Sequence, residues 1–151
     1  MNDAQLASDT NSALATLSEH LCSPQTILLV EDEAFVREMV AEILEGAGYR
    51  VLKARNAAEA NDVFQRFGKI VQLLLTDVIL PGQNGRELAK DLRQINSALR
   101  VICISGYFLN LITQKRLVED GIFFLPKPFS CESLLRKVRH VLAKDLEELA
   151  I

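Results

Sequence analysis

Five short apolar runs alternate with five longer amphipathic segments along this chain of 151 residues. Runs of this kind are typical of strands that are buried on both faces. The longer segments repeat apolar residues every three or four positions, which predicts helices packed against the strands. The predicted strands cover residues 26–30, 50–54, 71–76, 100–104 and 122–125, and the predicted helices cover about 34–46, 56–68, 85–95, 109–119 and 130 onward.

Regular alternation of strands and helices predicts the α/β class, with a five-stranded parallel sheet, helices on both faces and right-handed connections. In an open sheet of this kind, ligands bind outside the carboxyl ends of the strands. The residues that directly follow the predicted strands are therefore the first candidates for chemistry.

Polar residues follow four of the five predicted strands: Glu31 and Asp32 the first, Asp77 the third, Ser105 the fourth and Lys127 the fifth. Adjacent carboxylates repel each other, so the acidic cluster suggests a hard divalent cation such as Mg²⁺. Helix capping is an alternative explanation, since Asp32 and Glu33 precede a predicted helix and negative charge there complements the helix dipole.

Phosphoryl transfer onto Asp77 would give each of these groups a task. Such catalysis consists mainly of positioning the moving group and neutralising its oxygens. Asp77 offers the attacking carboxylate oxygen, Lys127 and Mg²⁺ supply positive charge, and Ser105 can donate to a phosphoryl oxygen.

Four motifs in this order make the chain resemble the receiver domain of two-component response regulators. They are ILLVEDE at the first strand, LLLTDVILPGQNG around Asp77, ISGY at Ser105 and LPKPF at Lys127. The resemblance implies the flavodoxin-like receiver fold with strand order 2-1-3-4-5, and acceptance of a phosphoryl group from a phosphohistidine. TDVILPGQNGRELA and LLRKVRHVL are similar to receivers attached to hybrid histidine kinases.

The resemblance also implies a role for each matching position. Asp77 would be the phosphoacceptor, and Asp32 and Asp77 would bind Mg²⁺ directly. Glu31, at a position where the family more often has Asp, would act through a metal-bound water, and the backbone carbonyl of Ile79 would complete the protein ligands.

A further set of positions would form the conformational switch. Ser105 would move toward the phosphoryl group, and Lys127 would be the ion-pair partner of that group. The bond from Lys127 to Pro128 would be cis, a form that only an X-Pro bond accepts at low cost. The aromatic switch position falls on Phe124, which lacks the hydroxyl of a Tyr. Gly106, next to Ser105, leaves room for water to reach the acyl phosphate.

Composition fits one domain with a short extension. The chain is 49% hydrophobic and 25% charged, with a formal net charge of −3 and a pI near 5.4, so no overall basic surface favours direct nucleic-acid binding. No apolar run approaches the ~20 residues that span a bilayer, and no signal peptide is recognisable, so we expect a cytoplasmic protein without membrane insertion. We expect residues 1–24 to form a weakly helical extension, 25–143 the receiver domain and 144–151 a continuation of the last helix.

Cys22, Cys103 and Cys131 show no CxxC or Cys/His metal spacing, which predicts free thiols. The basic run of Arg136, Lys137, Arg139 and His140 is either a solvated helix face or a docking face for an acidic partner.

The expected partners are a histidine kinase or a histidine phosphotransfer protein, and an output partner that the sequence does not name. An interaction-only receiver is an alternative, dimerising through residues 1–24 or through the last helix with Leu142, Leu146 and Leu149. A phosphatase of the haloacid dehalogenase type would need an acid where Ile79 stands. A flavin or nucleotide binder would need a Gly-rich or Ser/Thr-rich loop after the first strand, where the sequence has EDE.

Overall fold

The computed structural model describes residues 24–106 and 111–149. Strands and helices alternate in this part of the chain as the pattern predicts, and the fifth strand lies one residue later than predicted. The elements are β1 Thr26–Val30, α1 Ala34–Gly46, β2 Arg50–Ala54, α2 Ala57–Phe67, β3 Val71–Asp77, α3 Gly85–Ile95, β4 Arg100–Ser105, α4 Leu111–Glu119, β5 Phe123–Pro126 and α5 Cys131–Leu149.

All four strand pairings are parallel, and the order across the sheet is β2-β1-β3-β4-β5. The predicted class and strand order are thus confirmed. The chain passes from β1 to β2 on one side and then to β3 on the other side of β1. The carboxyl ends of β1 and β3 therefore flank the point where the winding reverses, which is the usual ligand crevice of such sheets.

The sheet separates two hydrophobic layers, and successive residues of β1 point alternately into them. Leu28 and Val30 join the layer beneath α2, α3 and α4, whereas Ile27 and Leu29 join the layer beneath α1 and α5. These four side chains are at most 1% exposed. Burial on both faces explains why β1 and β3 are nearly continuous apolar runs rather than alternating ones.

Local signals in the sequence fix where several helices begin and end. Asn56 caps α2 and accepts a hydrogen bond from the Glu59 backbone N–H at 2.8 Å. Asn84 caps α3 in the same way through the N–H of Glu87, also at 2.8 Å. Gly48, with φ of 98°, turns the chain from the end of α1 into β2, a conformation that favours glycine.

The predicted amino-terminal extension lies outside the described residues, apart from Pro24. At the other terminus α5 continues to Leu149. Among the described helices, none combines the length and the apolar character that crossing a membrane requires.

Candidate acidic site at the carboxyl edge of the sheet

The strand register brings the sequence-predicted site residues to one edge of the sheet. Val30 of β1 pairs with Thr76 of β3, so Glu31 and Asp77 follow at adjacent positions. Asp77 pairs in turn with Ile104 of β4, directly before Ser105. Lys127 follows β5, and its backbone N–H donates to the Ser105 carbonyl at 2.7 Å. The expected convergence of these strand ends is therefore found.

Three carboxylates, of Glu31, Asp32 and Asp77, form a cluster at this edge. One oxygen from each lies within 4.8 Å of the others. Glu31 and Asp77 are buried at 3% and 8% exposure, whereas Asp32 faces solvent. Oxygen donors that are partly open to water suit Mg²⁺, which keeps several water ligands. The residues present therefore fit the metal that the sequence suggests.

Lys127 supplies positive charge to the cluster. Its Nζ lies 3.0 Å from Asp77 Oδ1 and 3.6 Å from Glu31 Oε2. Burial disfavours the charged amine, but the hydrogen bond and charge of Asp77, together with Glu31, outweigh it and raise the pKa of Lys127. The peptide bond between Lys127 and Pro128 is cis. Lys127 thus remains an ammonium group directed at Asp77.

The pKa of Glu31 is strongly shifted from its ordinary value. Burial, then the hydrogen bond and negative charge of Asp77, raise the pKa of Glu31 to about 8, although Lys127 and the Glu33 N–H act in the opposite direction. Its burial beside Asp77 therefore disfavours the charged form of Glu31. If both Glu31 and Asp77 were ionised, a bound metal cation could compensate their negative charge.

The start of α1 shows which acid of the sequence EDE contacts the helix backbone. Glu33 occupies the N-cap position of α1, but its side chain makes no capping hydrogen bond. The side chain of Glu31 instead accepts a hydrogen bond from the Glu33 N–H at 3.1 Å. Glu31 thus accepts a hydrogen bond from the backbone at the start of α1 and also belongs to the acidic cluster.

The buried Ser105 hydroxyl donates to the Gly106 carbonyl at 2.9 Å. The hydroxyl proton of Ser105, which we expect to be donated to a phosphoryl oxygen, is therefore donated to the backbone in this structure. Rotation about the Ser105 side chain would exchange this contact for one in the pocket.

Ile79 and Phe124 are the two remaining positions to which the resemblance gives a role. Ile79 sits in the bend directly after β3, with its side chain 84% exposed. Phe124 is half-buried against the layer beneath α2, α3 and α4. The metal role of the Ile79 carbonyl and the switch role of Phe124 stay predictions.

Three supporting contacts were missed by the sequence reasoning. The Arg37 Nη1 donates to the Glu31 carbonyl at 2.8 Å, and the Thr76 hydroxyl donates to the Asp77 carbonyl at 3.0 Å. Gly85 packs so closely on the Asp77 carbonyl that a Cβ there would overlap the oxygen. Glycine at the first helical position, directly after the capping residue Asn84, is the sequence signal that points to such a close approach.

We expect the two described cysteines to differ sharply in alkylation. Cys103 is fully buried in β4, and burial raises its thiol pKa to about 12, so the reactive thiolate is scarce at pH 8. Cys131, at the start of α5, is exposed. Iodoacetamide at pH 8 should therefore modify Cys131 within minutes and leave Cys103 unmodified until denaturant is added, as peptide mass spectrometry would show. Modification of native Cys103 at the rate of Cys131 would contradict this burial.

A doubly wound parallel sheet with a lysine-paired aspartate among carboxylates at its switch point defines a receiver-type signalling domain. Residues 27–139 match the family model of the response regulator receiver domain. The chain belongs to this family, which confirms the resemblance found in its motifs.

Characterised relatives include three bacterial signalling proteins. The response regulator receiver protein CpdR of Brucella abortus is 31% identical over 77% of this chain and 95% of its own length. The sensor kinase CckA of the same organism is 33% identical over 83% of this chain, and the phosphate regulon regulator PhoB of Pseudomonas aeruginosa is 35% identical over 80%. The chain spans 13% of CckA and 52% of PhoB.

Solved receiver structures share the fold. The receiver domain of the hybrid histidine kinase CckA superposes with a TM-score of 0.66 at 34% identity, covering 78% of this chain and 98% of that one. A CheY-like receiver from Methanospirillum hungatei reaches 0.76 at 27% identity, covering 83% and 99%.

Proposed function

We propose that this receiver takes a phosphoryl group from a phosphohistidine onto Asp77 with the help of Mg²⁺, and that the modification switches a partner-binding face. The observation that carries the proposal is the position of Lys127, whose ammonium lies 3.0 Å from Asp77 Oδ1 beside two further carboxylates. An aspartate with a purely structural role needs one partner. Here the buried carboxylate of Asp77 lies next to both the ammonium group of Lys127 and two further carboxylates.

In the proposed transfer an Asp77 carboxylate oxygen attacks the phosphorus atom of the donor. A P–O bond forms, the P–N bond breaks, and its electron pair stays on the donor imidazole. Lys127 then pairs with a phosphoryl oxygen, and Ser105 donates to another after releasing the Gly106 carbonyl. Mg²⁺, held by Asp32 and Asp77, by the Ile79 carbonyl and through water by Glu31, would neutralise the remaining phosphoryl charge. The domain contributes this chemistry to a signalling event rather than to turnover of a substrate.

A phosphatase of the haloacid dehalogenase type is not favoured. Its leaving group would need a general acid two positions after the nucleophile. Ile79 occupies that position, and its side chain is 84% exposed to solvent and carries no proton to donate.

The donor we propose is a protein, either a histidine kinase or a histidine phosphotransfer protein. Two large apolar side chains stand exposed beside the acidic cluster: Phe35 in the first turn of α1, at 78%, and Ile79, at 84%. A small phosphate donor would gain nothing from them, whereas a protein donor could bury both. The face around β4, α4, β5 and α5 would carry the readout to an output partner, with Ser105 and Phe124 as the switch positions.

Treatment with acetyl phosphate and Mg²⁺, followed by intact mass spectrometry, tests the proposal. We expect one added phosphoryl group that is lost on hydroxylamine treatment, because an acyl phosphate is labile to that nucleophile. Trypsin releases residues 70–86 as one peptide, in which Asp77 is the single side-chain carboxylate. No added phosphate, or phosphate outside this peptide, would refute Asp77 as the acceptor.

Replacing Phe35 with Ala should slow transfer from a phosphorylated protein donor and leave acetyl phosphate labelling unchanged. Truncating a buried anchor at an interface costs about 2 kcal/mol, roughly a thirtyfold loss of transfer efficiency. Val118→Ala is the matched control, since Val118 is 72% exposed at the end of α4, near the opposite edge of the sheet. Equal losses from both donors would mean that Phe35 acts on the pocket itself and not on docking.

A further inference from the structure

An apolar groove lies at the amino edge of the sheet, opposite the acidic cluster. We call it the basal groove; its lining includes Phe67, Ile70 and Ile95, which are 45%, 47% and 56% exposed. Arg66 and Lys69 also line it and face solvent. Three large apolar side chains gathered in one concave patch are more than isolated surface residues, and such a patch favours a binding partner.

The chain enters the sheet beside this groove. Thr26, the first residue of β1, pairs with Val71, the first residue of β3, and Val71 directly follows Ile70. The Thr26 N–H donates to the Gln72 side-chain oxygen at 2.9 Å, which fixes this strand start beside β3. Residues that precede Pro24 therefore begin within a few residues' reach of the basal groove.

The 23 residues before Pro24 have the chemistry that the groove would accept. Leu14, Leu17 and Leu21 recur at helical spacing, so a helix over them would align three apolar side chains on one face. The segment contains Asp3, Asp9 and Glu19 but no Lys or Arg. An acidic segment with a leucine face complements an apolar groove that carries Arg66 and Lys69.

We propose that residues 1–23 dock intramolecularly in the basal groove through the face formed by Leu14, Leu17 and Leu21. The four residues between Leu21 and Thr26 span at most ~17 Å when extended, and a helix from Leu14 to Leu21 would be ~11 Å long, which is short enough to lie along a surface groove. Because the segment is tethered beside its site, its effective concentration is in the millimolar range, so weak contacts suffice. The segment covers apolar surface at the edge of the sheet remote from Asp77.

Paramagnetic broadening of isoleucine methyl signals tests the docking in the full chain. A nitroxide would be attached at Ser18→Cys in a background of Cys22→Ser and Cys131→Ser, with the buried Cys103 left in place. We expect the Ile70 and Ile95 methyl signals to lose more than half their intensity. Ile79, at the far end of the seven-residue strand β3, should keep most of its signal.

Two comparisons decide between docking and its competitors. Adding Leu17→Asp and Leu21→Asp to the labelled chain should restore the Ile70 and Ile95 signals; unchanged broadening would overturn the proposal, as would its absence in the parent chain. In a mixture where one copy carries the nitroxide and another carries the isotope, an intramolecular contact gives no broadening. Broadening of Ile70 and Ile95 in the mixture would assign the groove to a second copy and overturn the proposal in this form.

Discussion

Asp77→Asn is expected to reduce phosphoryl incorporation from acetyl phosphate to background. The amide has almost the shape of the carboxylate but lacks a nucleophilic anion, so no P–O bond can form. The change also removes the negative charge that Lys127 contacts at 3.0 Å. Intact mass spectrometry after incubation with acetyl phosphate and Mg²⁺ provides the measurement.

Stability separates this loss of chemistry from a loss of fold. Asp77 and Glu31 are buried together, so the neutral amide relieves their repulsion while Lys127 keeps Glu31 as a partner at 3.6 Å. We therefore expect Asp77→Asn to unfold at a temperature no lower than the parent chain. Asp62→Asn, on the exposed surface of α2, is the matched control and should retain full incorporation. Incorporation at the parent level by Asp77→Asn would place the acceptor elsewhere.

Strand positions and the convergence of the site could be predicted because both depend on short-range patterns. Strands buried on both faces, such as β1 and β3, must be largely apolar, and a carboxylate such as Asp77 then marks the strand end clearly. Parallel pairing brings successive strand ends to one edge whatever the loops do. The position of Lys127 beside Asp77 follows from this topology, and so it was predictable without coordinates.

Contacts that depend on loop conformation could not be predicted. The Ser105 hydroxyl has several acceptors within reach, and only the path of the backbone after β4 directs it to the Gly106 carbonyl. Arg37 could have paired with any nearby acid, yet its guanidinium donates to the Glu31 backbone carbonyl. Side-chain torsions with several low-energy rotamers decide such contacts, and the sequence pattern carries no information about them.

The basal groove shows a second limit of pattern reading. Ile95 continues the helical spacing of Leu88 and Leu92, which are fully buried, yet Ile95 is 56% exposed. It is the last residue of α3, where the helix ends and its periodicity ceases to specify a buried face. Pattern alone therefore predicts a core residue where the structure has a surface one.

Gly85 is the position where a second substitution should have a large effect on both stability and phosphorylation. Gly85 begins α3, and its N–H donates to the Val78 carbonyl at 2.8 Å, which closes the loop after β3. A Cβ at this position would overlap the Asp77 carbonyl oxygen and lie 3.1 Å from the Thr76 Cγ2. The obstacle is backbone, which cannot rotate away as a flexible side chain would, so the loop or the end of β3 must move.

Gly85→Ala should therefore destabilise the fold and impair phosphorylation together. Overpacking of this kind costs about 1–3 kcal/mol, which lowers the unfolding temperature of a domain of this size by roughly 2–10 °C. Displacement of Asp77 from Lys127 should also slow acetyl phosphate labelling by about tenfold, since a shift of ~1 Å at a reacting group is enough. Thermal unfolding followed by circular dichroism and labelling rates measured below the transition give the two readouts.

Gly46→Ala is the control that distinguishes crowding from the general effect of replacing glycine. Gly46 ends α1, and a Cβ there would meet nothing within 4 Å. Alanine is the better helix former by about 1 kcal/mol, so this variant should be as stable as the parent or slightly more stable, with unchanged labelling. If Gly85→Ala behaved like Gly46→Ala, the close packing of α3 on the Asp77 carbonyl would not exist in solution. A loss confined to Gly85→Ala would instead show that the phosphoacceptor is held in place by a contact that only glycine permits.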